Sequence, residues 1–365
     1  MVRLFVVASV VMSAGFIVLI AVIESPLVRS STGLGRLVVS HYSESKQEYV
    51  VDVIDLDQNK TFSAEREIYS DGVQAIIDDG YIFSARCFGY NALNTCSASI
   101  SGLFTPNQID QLQDIKRFWE PDYSTPVLSP DGKQIAFIVT NQSSQDPFIV
   151  KDDVYVANSD GTHQLNLTPD KNLDGGYVLW SPDSKRIAFA CSDNKRLCLA
   201  VIDGSLLQKL NVSQDAQIFP VAWSPDGRQI MFQTITKDHL RSEVYVMNID
   251  GSDISHWLVI SSPRTAPKWS PDSSRIAFFS VEPDFNNYLY RINANGSDLH
   301  ILSNGLKGQA YGAAWSIDGQ NVAFFSSDVD GLTTSIYIVD VNRGYLAKIA
   351  EISTYINRPE LFWIP

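Results

Sequence analysis

The sequence predicts an all-β fold: a seven-bladed β-propeller of four-stranded blades, closed by pairing of its N- and C-terminal strands and preceded by one N-terminal transmembrane helix. Three observations predict it: a ten-residue strand–turn–strand unit that recurs along the chain, the even spacing of its copies, and a last apolar stretch that has no second half. The unit is clearest from Trp223 to Phe232, WSPDGRQIMF. Pro225 presets φ for a turn, Asp226 can accept hydrogen bonds from nearby backbone N–H groups, and Gly227 takes the positive φ that other residues resist. The apolar segments on either side then read as two strands of one hairpin.

Copies begin at Leu128 (LSPDGKQIAF), Trp180 (WSPDSKRIAF), Trp269 (WSPDSSRIAF) and Trp315 (WSIDGQNVAF). A degenerate copy, AIIDDGYIF around Ile76, keeps only Asp79-Gly80 of the turn, and ELFWIP closes the chain at Trp363. The leading positions are 76, 128, 180, 223, 269, 315 and 363, so the steps are 52, 52, 43, 46, 46 and 48 residues. Propeller blades repeat every ~40 to 50 residues, enough for four strands.

Downstream of these copies a second signature appears as DVYVANSDG at Asp153, EVYVMNIDG at Glu243, YLYRINANG at Tyr288 and SIYIVDVNRG at Ser335. It reads as a third strand with alternating faces, ended by an Asp/Asn/Gly turn and followed by a short fourth strand such as HQLNLT or HILS. Together the two signatures resemble the PD40 (WD40-like) repeat of TolB-like propellers and of the propeller domains of prolyl-oligopeptidase-like enzymes. The resemblance spans nearly the whole chain after residue 36. It implies the fold and not an activity, because the matching residues are turn and core residues.

Residues 1–23 form an apolar run whose one charge is Arg3, long enough to cross a bilayer as a helix. A cleaved signal peptide has a shorter apolar core and a small-x-small site, so we read an uncleaved anchor. Arg3 before the span and Arg29 and Arg36 after it leave the orientation open. Residues 24–35 read as a linker, in which Gly33-Leu34-Gly35 lacks the third glycine and the preceding strand of a dinucleotide loop. The propeller then spans residues 36–365. Its first blade supplies a second strand at GRLVVSHYS, a third at EYVVDVIDLD and a fourth at KTFSAER, and the missing first strand comes from Leu361 to Ile364. Such closure removes exposed sheet edges.

The four cysteines fall into two local pairs, Cys87 with Cys96 and Cys191 with Cys198, each where the second and third strands of a blade should form a hairpin. Opposed residues there bring Cβ atoms within disulfide range. Closing the second loop would stabilise by about 2.5 kcal/mol on the chain-entropy model. Disulfides imply an oxidising compartment, hence a propeller on the extracytoplasmic side, periplasmic or at the cell surface. Two insertions interrupt the repeats. Thr105, Pro106 and apolar residues at 109, 112, 115 and 118 predict a short helix over 106–118, with Trp119 as packing for it. The second is a polar stretch from Asn141 to Asp153. Both would leave the disc on the face that carries second-to-third and fourth-to-first connections.

The net charge is −13, with no basic stripe, so no nucleic-acid partner is expected. No G-x-S-x-G elbow, H-E-x-x-H helix, P-loop or C-x-x-C pair occurs, and no catalytic residue is assigned. His163, His256 and His300 follow third-strand turns and should face outward, far apart, so we expect no metal site and no cofactor. Asp55 and Asp57, with Asn59, have oxygen ligands at spacing two, and Asp328-Val329-Asp330-Gly331 repeats part of this. Lys60 takes the place of the glycine a calcium loop needs, and both read as polar turns.

What remains is recognition. The leading residues of the first strands should gather at the channel mouth: Tyr123, Tyr177, Phe219, Arg264, Tyr311 and Arg358. Aromatics and arginines are enriched in contact surfaces, although each could instead cap its own blade. The expected protein is a non-catalytic binding or scaffold module. Its partners would be the membrane, through the N-terminal helix, and another protein or cell-envelope component at the propeller face. The alternative is a carbohydrate-active enzyme: oligogalacturonate lyases resemble this chain in their PD40-type propeller and would require a metal centre, for which His41 and His239 are the candidates.

Overall fold

In the computed structural model the residues described are 35–43, 48–58, 60–63, 65–69, 72–77, 81–88, 95–101, 127–142, 150–159, 161–169, 178–191, 196–212, 217–235, 242–260, 267–282, 284–328, 333–352 and 357–364. Among them the secondary structure is strand and turn, and no helix is long and apolar enough to cross a membrane. The expected membrane span, nearly all of the linker and the expected helix at 106–118 lie outside the described residues. The chain divides into two compact units, one of residues 1–100 with 263–365 and one of residues 101–262.

Among the described residues the first unit holds three sheets. One has the order Asn357–Ile364, Arg36–Ser43, Glu48–Asp55, Lys60–Ser63. Its terminal strand runs antiparallel to Arg36–Ser43, with Leu37 opposite Trp363 and Val39 opposite Leu361. Leu37, Val39, Ile54 and Leu361 pack with Phe325, Ile336 and Ile338 in one buried cluster. The second sheet, Glu65–Tyr69, Gly72–Ile77, Tyr81–Phe88, Thr95–Ser101, corrects one expectation. KTFSAER is not one strand: Lys60–Ser63 stays with the first sheet, whereas Glu65–Tyr69 pairs with Gly72–Ile77. The strands carrying Cys87 and Cys96 are therefore third and fourth in this sheet rather than second and third. The degenerate repeat has no Ser-Pro to fix its turn, so its strand order was the least determined locally.

The third sheet has eight strands. Lys268–Trp269, Arg275–Val281, Asn287–Asn293 and His300–Ile301 form one set, and Gln309–Trp315, Asn321–Ser327, Thr334–Asp340 and Leu346–Ile352 form another. A single parallel bridge, Asn287 to Gln309, joins them. Residues Asn321 to Ser326 are buried on both faces, which is why this strand reads as a near-continuous apolar run, NVAFFS, rather than an alternating one.

Among the described residues the second unit holds three four-stranded sheets: Val127–Leu128, Gln134–Gln142, Val150–Asn158, Leu165–Asn166; Leu179–Trp180, Arg186–Ala190, Arg196–Val201, Leu207–Asn211; and Gln217–Trp223, Gln229–Ile235, Ser242–Asn248, Ser255–Ile260. The polar insertion expected from Asn141 to Asp153 is shorter than the sequence suggested. The hairpin ladder continues to Gln142 opposite Val150, because alternating polar residues extend a ladder as well as apolar ones when one face meets water.

Each repeat turn is closed by its own side chains. Ser224 Oγ donates to Asp226 Oδ1 at 2.6 Å and accepts from the Gln229 amide at 2.9 Å, while Asp226 Oδ1 accepts from the Arg228 amide at 3.0 Å. The same pattern recurs at Ser129–Asp131, Ser181–Asp183, Ser270–Asp272 and Ser316–Asp318. Where serine replaces the turn glycine, Ser184 and Ser273 adopt φ of 58° and 61°, so the rest of the motif suffices to impose the conformation. On the second and third strands a phenylalanine lies opposite a tyrosine and stacks on it: Phe137 on Tyr155, Phe232 on Tyr245, Phe278 on Tyr290 and Phe324 on Tyr337, with centroids 5.3–5.7 Å apart. Such cross-strand aromatic pairs stabilise by about 0.5–1 kcal/mol each.

Three of the leading tryptophans stitch their repeat to the one before it. Trp180 Nε1 donates to the Val127 carbonyl at 2.7 Å, Trp223 Nε1 to Leu179 at 3.2 Å, and Trp315 Nε1 to Lys268 at 3.0 Å. Each acceptor lies on the first strand of the preceding repeat. The tryptophan thus fills the core between two sheets and also satisfies a carbonyl on the edge strand of one of them.

Candidate functional site

Among the described residues of the first unit, a distinctive surface is the hairpin between Arg275–Val281 and Asn287–Asn293. Phe285 N donates to the Glu282 carbonyl at 2.9 Å and Glu282 N to the Asn286 carbonyl at 3.0 Å, which tightens the loop around Phe285. Asp284 holds its far side: Oδ1 accepts from the Asn286 amide at 3.0 Å, and Oδ2 accepts from Asn286 Nδ2 at 2.8 Å and from the Tyr288 hydroxyl at 2.9 Å. The Tyr290 hydroxyl donates to Glu282 Oε1. Hydrogen bonds from Asn286 and Tyr288 hold the Asp284 carboxyl below the usual carboxylate range, so it is ionised near neutral pH. The Tyr288 hydroxyl is pushed up by its bond to Asp284, and that of Tyr290 by burial and then by Glu282, so both stay protonated donors.

This loop clasps the segment leading into Gln309–Trp315. Gly308 N donates to Asn286 Oδ1 at 2.9 Å, Asn287 N to the Gly308 carbonyl at 3.2 Å, Asn287 Nδ2 to the Ala310 carbonyl at 2.6 Å, and Gln309 Nε2 to the Phe285 carbonyl at 2.8 Å. Gly308 has φ 123°, and a Cβ there would stand 2.0 Å from the Ser327 carbonyl oxygen, so only glycine permits this approach. The outcome is a fixed loop whose tip, Phe285, is 82% exposed with φ 63°. The sequence reading missed it. Its only signal was Pro283-Asp284-Phe285-Asn286, an aromatic inside a turn.

Of the expected channel-mouth residues, two have described side chains, one in each unit. Phe219 lies half-buried on Gln217–Trp223 opposite Gln233, beside a register shift between Pro220 and Ala222. Tyr311 is half-buried, stacks on Phe325 at 5.5 Å and shares a 3.2 Å hydrogen bond with Thr334 Oγ1, so much of its surface caps its own sheet. Tyr123, Tyr177 and Arg264 lie outside the described residues. Arg358 is on Asn357–Ile364, but its side chain, like those of His41, Cys87 and Cys96, lies outside the described residues, as does His239 entirely.

Cys191 and Cys198 form a disulfide with Cα atoms 5.3 Å apart. The register differs from the directly opposed pairing expected. Cys198 faces Phe189, at the position where four other repeats place the stacking tyrosine, and Cys191 N bonds to the Arg196 carbonyl. The bridge is diagonal, which keeps both sulfurs on one buried face and substitutes a covalent link for the aromatic stack.

His163, His256 and His300 are all exposed. His256 packs against Tyr245 at 4.9 Å, and His300 Nδ1 lies 3.1 Å from Asp298 Oδ1, whose Oδ2 pairs with the buried Arg291 at 2.8 Å. Among the described residues no three His, Cys, Asp or Glu side chains come together as metal ligands. Asp55 Oδ1 accepts from the Gln58 amide at 2.6 Å and Asp57 Oδ2 from the Gly35 amide at 3.1 Å, the bonding of polar turns.

Repeated four-stranded antiparallel sheets, stitched to their neighbours through the first strand, define an all-β protein of the β-propeller class. Residues 191–362 match the family model described as the TolB beta propeller domain, PD40. Dipeptidyl-peptidase 5 of Porphyromonas gingivalis is 24% identical over 292 residues, covering 64% of this chain and 41% of that protein; the chain thus spans less than half the length of this curated relative. An oligogalacturonate lyase solved in complex with manganese superposes with a TM-score of 0.53 at 12% identity, covering 85% of this chain and 87% of that one, a likeness of fold alone. TolB from Acinetobacter baumannii superposes with a TM-score of 0.46 at 15% identity, over 90% of this chain and 66% of that one.

Proposed function

We propose that the chain is a membrane-anchored, extracytoplasmic, seven-bladed propeller that acts as a non-catalytic protein-binding or scaffold module. The observation that carries this reading is where the polar residues of the repeat are used. The serines and aspartates of the repeat motif bond within their own turns, and Trp180, Trp223 and Trp315 bond to the preceding repeat. What varies between repeats is the loops, and loops on a rigid scaffold are where propellers carry recognition. Seven sets of four strands among the described residues, and the pairing of Asn357–Ile364 with Arg36–Ser43, support the seven-bladed reading. The buried disulfide supports an oxidising compartment.

Affinity capture with the full-length chain tests this, repeated with residues 106–119 deleted. Loss of one specific partner on deletion supports a contact face on that side, and an unchanged partner set counts against it. The lyase alternative is tested on the same preparation by metal analysis and by release of unsaturated uronate from oligogalacturonate; positive results in both would replace the binding reading.

A further inference from the structure

Phe285 combines two features that folding does not reward. Its ring is 82% exposed, and its backbone sits at φ 63°, where a bulky side chain is disfavoured. A single exposed apolar residue needs no explanation. Phe285 differs because the surrounding loop fixes it there: its amide bonds to Glu282, its carbonyl accepts from Gln309, and Asn286 bonds the next segment at Gly308. A ring carried on a backbone already fixed in place leaves little chain entropy to lose when it enters a pocket, the property of an interface anchor.

The charges beside it indicate what it enters. Glu282 and Asp284 lie on the loop and Asp328 adjoins Gly308, against Lys307 as the cation of the same segment. A second copy docking face to face would bring these carboxylates together, and an anionic membrane surface would repel them.

We propose that Phe285 anchors a heterologous protein partner whose apolar pocket is rimmed by lysine or arginine. This rests on the binding-module reading and names the contact.

The test selects a phage-displayed random dodecapeptide library on the purified full-length chain in detergent, then measures affinities of the resulting synthetic peptides for wild type, Phe285→Ala, Phe285→Gly and Phe285→Tyr. The glycine variant relieves the positive φ, and circular dichroism verifies the fold of all four. Support is enrichment of peptides that pair Lys or Arg with large apolar residues, bind the alanine and glycine variants about 30-fold more weakly, retain affinity for Phe285→Tyr, and weaken as salt rises. Peptides that bind all variants equally overturn the anchor while leaving the binding module standing. A library that yields no peptide counts against both. Light scattering that shows a wild-type dimer made monomeric by Phe285→Ala, or Phe285-dependent sedimentation with phosphatidylglycerol vesicles, would assign the ring to a second copy or to lipid and overturn the proposal.

Discussion

Replacing Ser224 by alanine removes one fully buried oxygen that serves three partners. The hydroxyl donates to the Asp226 carboxylate at 2.6 Å, lies 3.1 Å from the Gln229 carbonyl, and accepts from the Gln229 amide at 2.9 Å. A hydrogen bond to a charged group contributes roughly 1.5–3 kcal/mol, and an N–H left without its acceptor costs roughly 1–3 kcal/mol. The two overlap because one atom supplies both, so the expected loss is about 3 kcal/mol. With an m-value of about 3 kcal/mol/M, the urea midpoint should fall by about 1 M at unchanged slope. Asp226→Asn keeps an acceptor and should lose about 1 kcal/mol. The pH dependence checks the mechanism separately. Burial raises the Asp226 carboxyl, but hydrogen bonds from Ser224 and the Arg228 amide, with the Arg228 charge, outweigh it and hold the group below its ordinary value of 3.8. Its stabilisation is therefore complete above that ordinary value and is lost as pH falls through the lower folded one. Ser224→Ala should flatten this acid limb. A midpoint shift under about 0.3 M at constant slope, or an acid limb unchanged by the substitution, would refute the assignment of the turn's stability to this hydroxyl.

Replacing Cys191 and Cys198 together by serine should cost about 2.5 kcal/mol through the seven-residue separation they close, with more from buried hydroxyls, read as a lower melting temperature than the oxidised wild type. Arg291 is buried, donates through Nε to the Val341 carbonyl at 2.9 Å and pairs with Asp298. Arg291→Ala should destabilise by roughly 3 kcal/mol, and Arg291→Lys should not restore it, because a lysine cannot reach both acceptors with a planar fork. Gly308→Ala should open the clasp, seen as faster hydrogen exchange at the Asn287 amide while amides in Asn321–Ser327 keep their protection.

The repeat was legible because everything that makes it is local. Ser, Pro, Asp and Gly within five residues specify the turn, and flanking apolar residues specify two strands, so copies could be counted before any contact was known. The cysteine pair at 191 and 198 was legible for the same reason, but its diagonal register was not, since register depends on which residues face the neighbouring sheets. At 65–69 the reading of KTFSAER as one strand failed, because no turn motif locally marks where one sheet ends and the next begins, and the pairing with Gly72–Ile77 decides it.

Composition and pattern alone therefore determined an all-β repeat protein, its turn chemistry and one covalent link. Only the tertiary structure decided that tryptophans 180, 223 and 315 reach carbonyls 44–53 residues away, that Arg291 satisfies Val341, and that the loop at Phe285 clasps the strand beginning at Gln309. Those contacts join residues that no local preference brings together, so they exist only once whole sheets have packed and their backbone groups must find partners away from water.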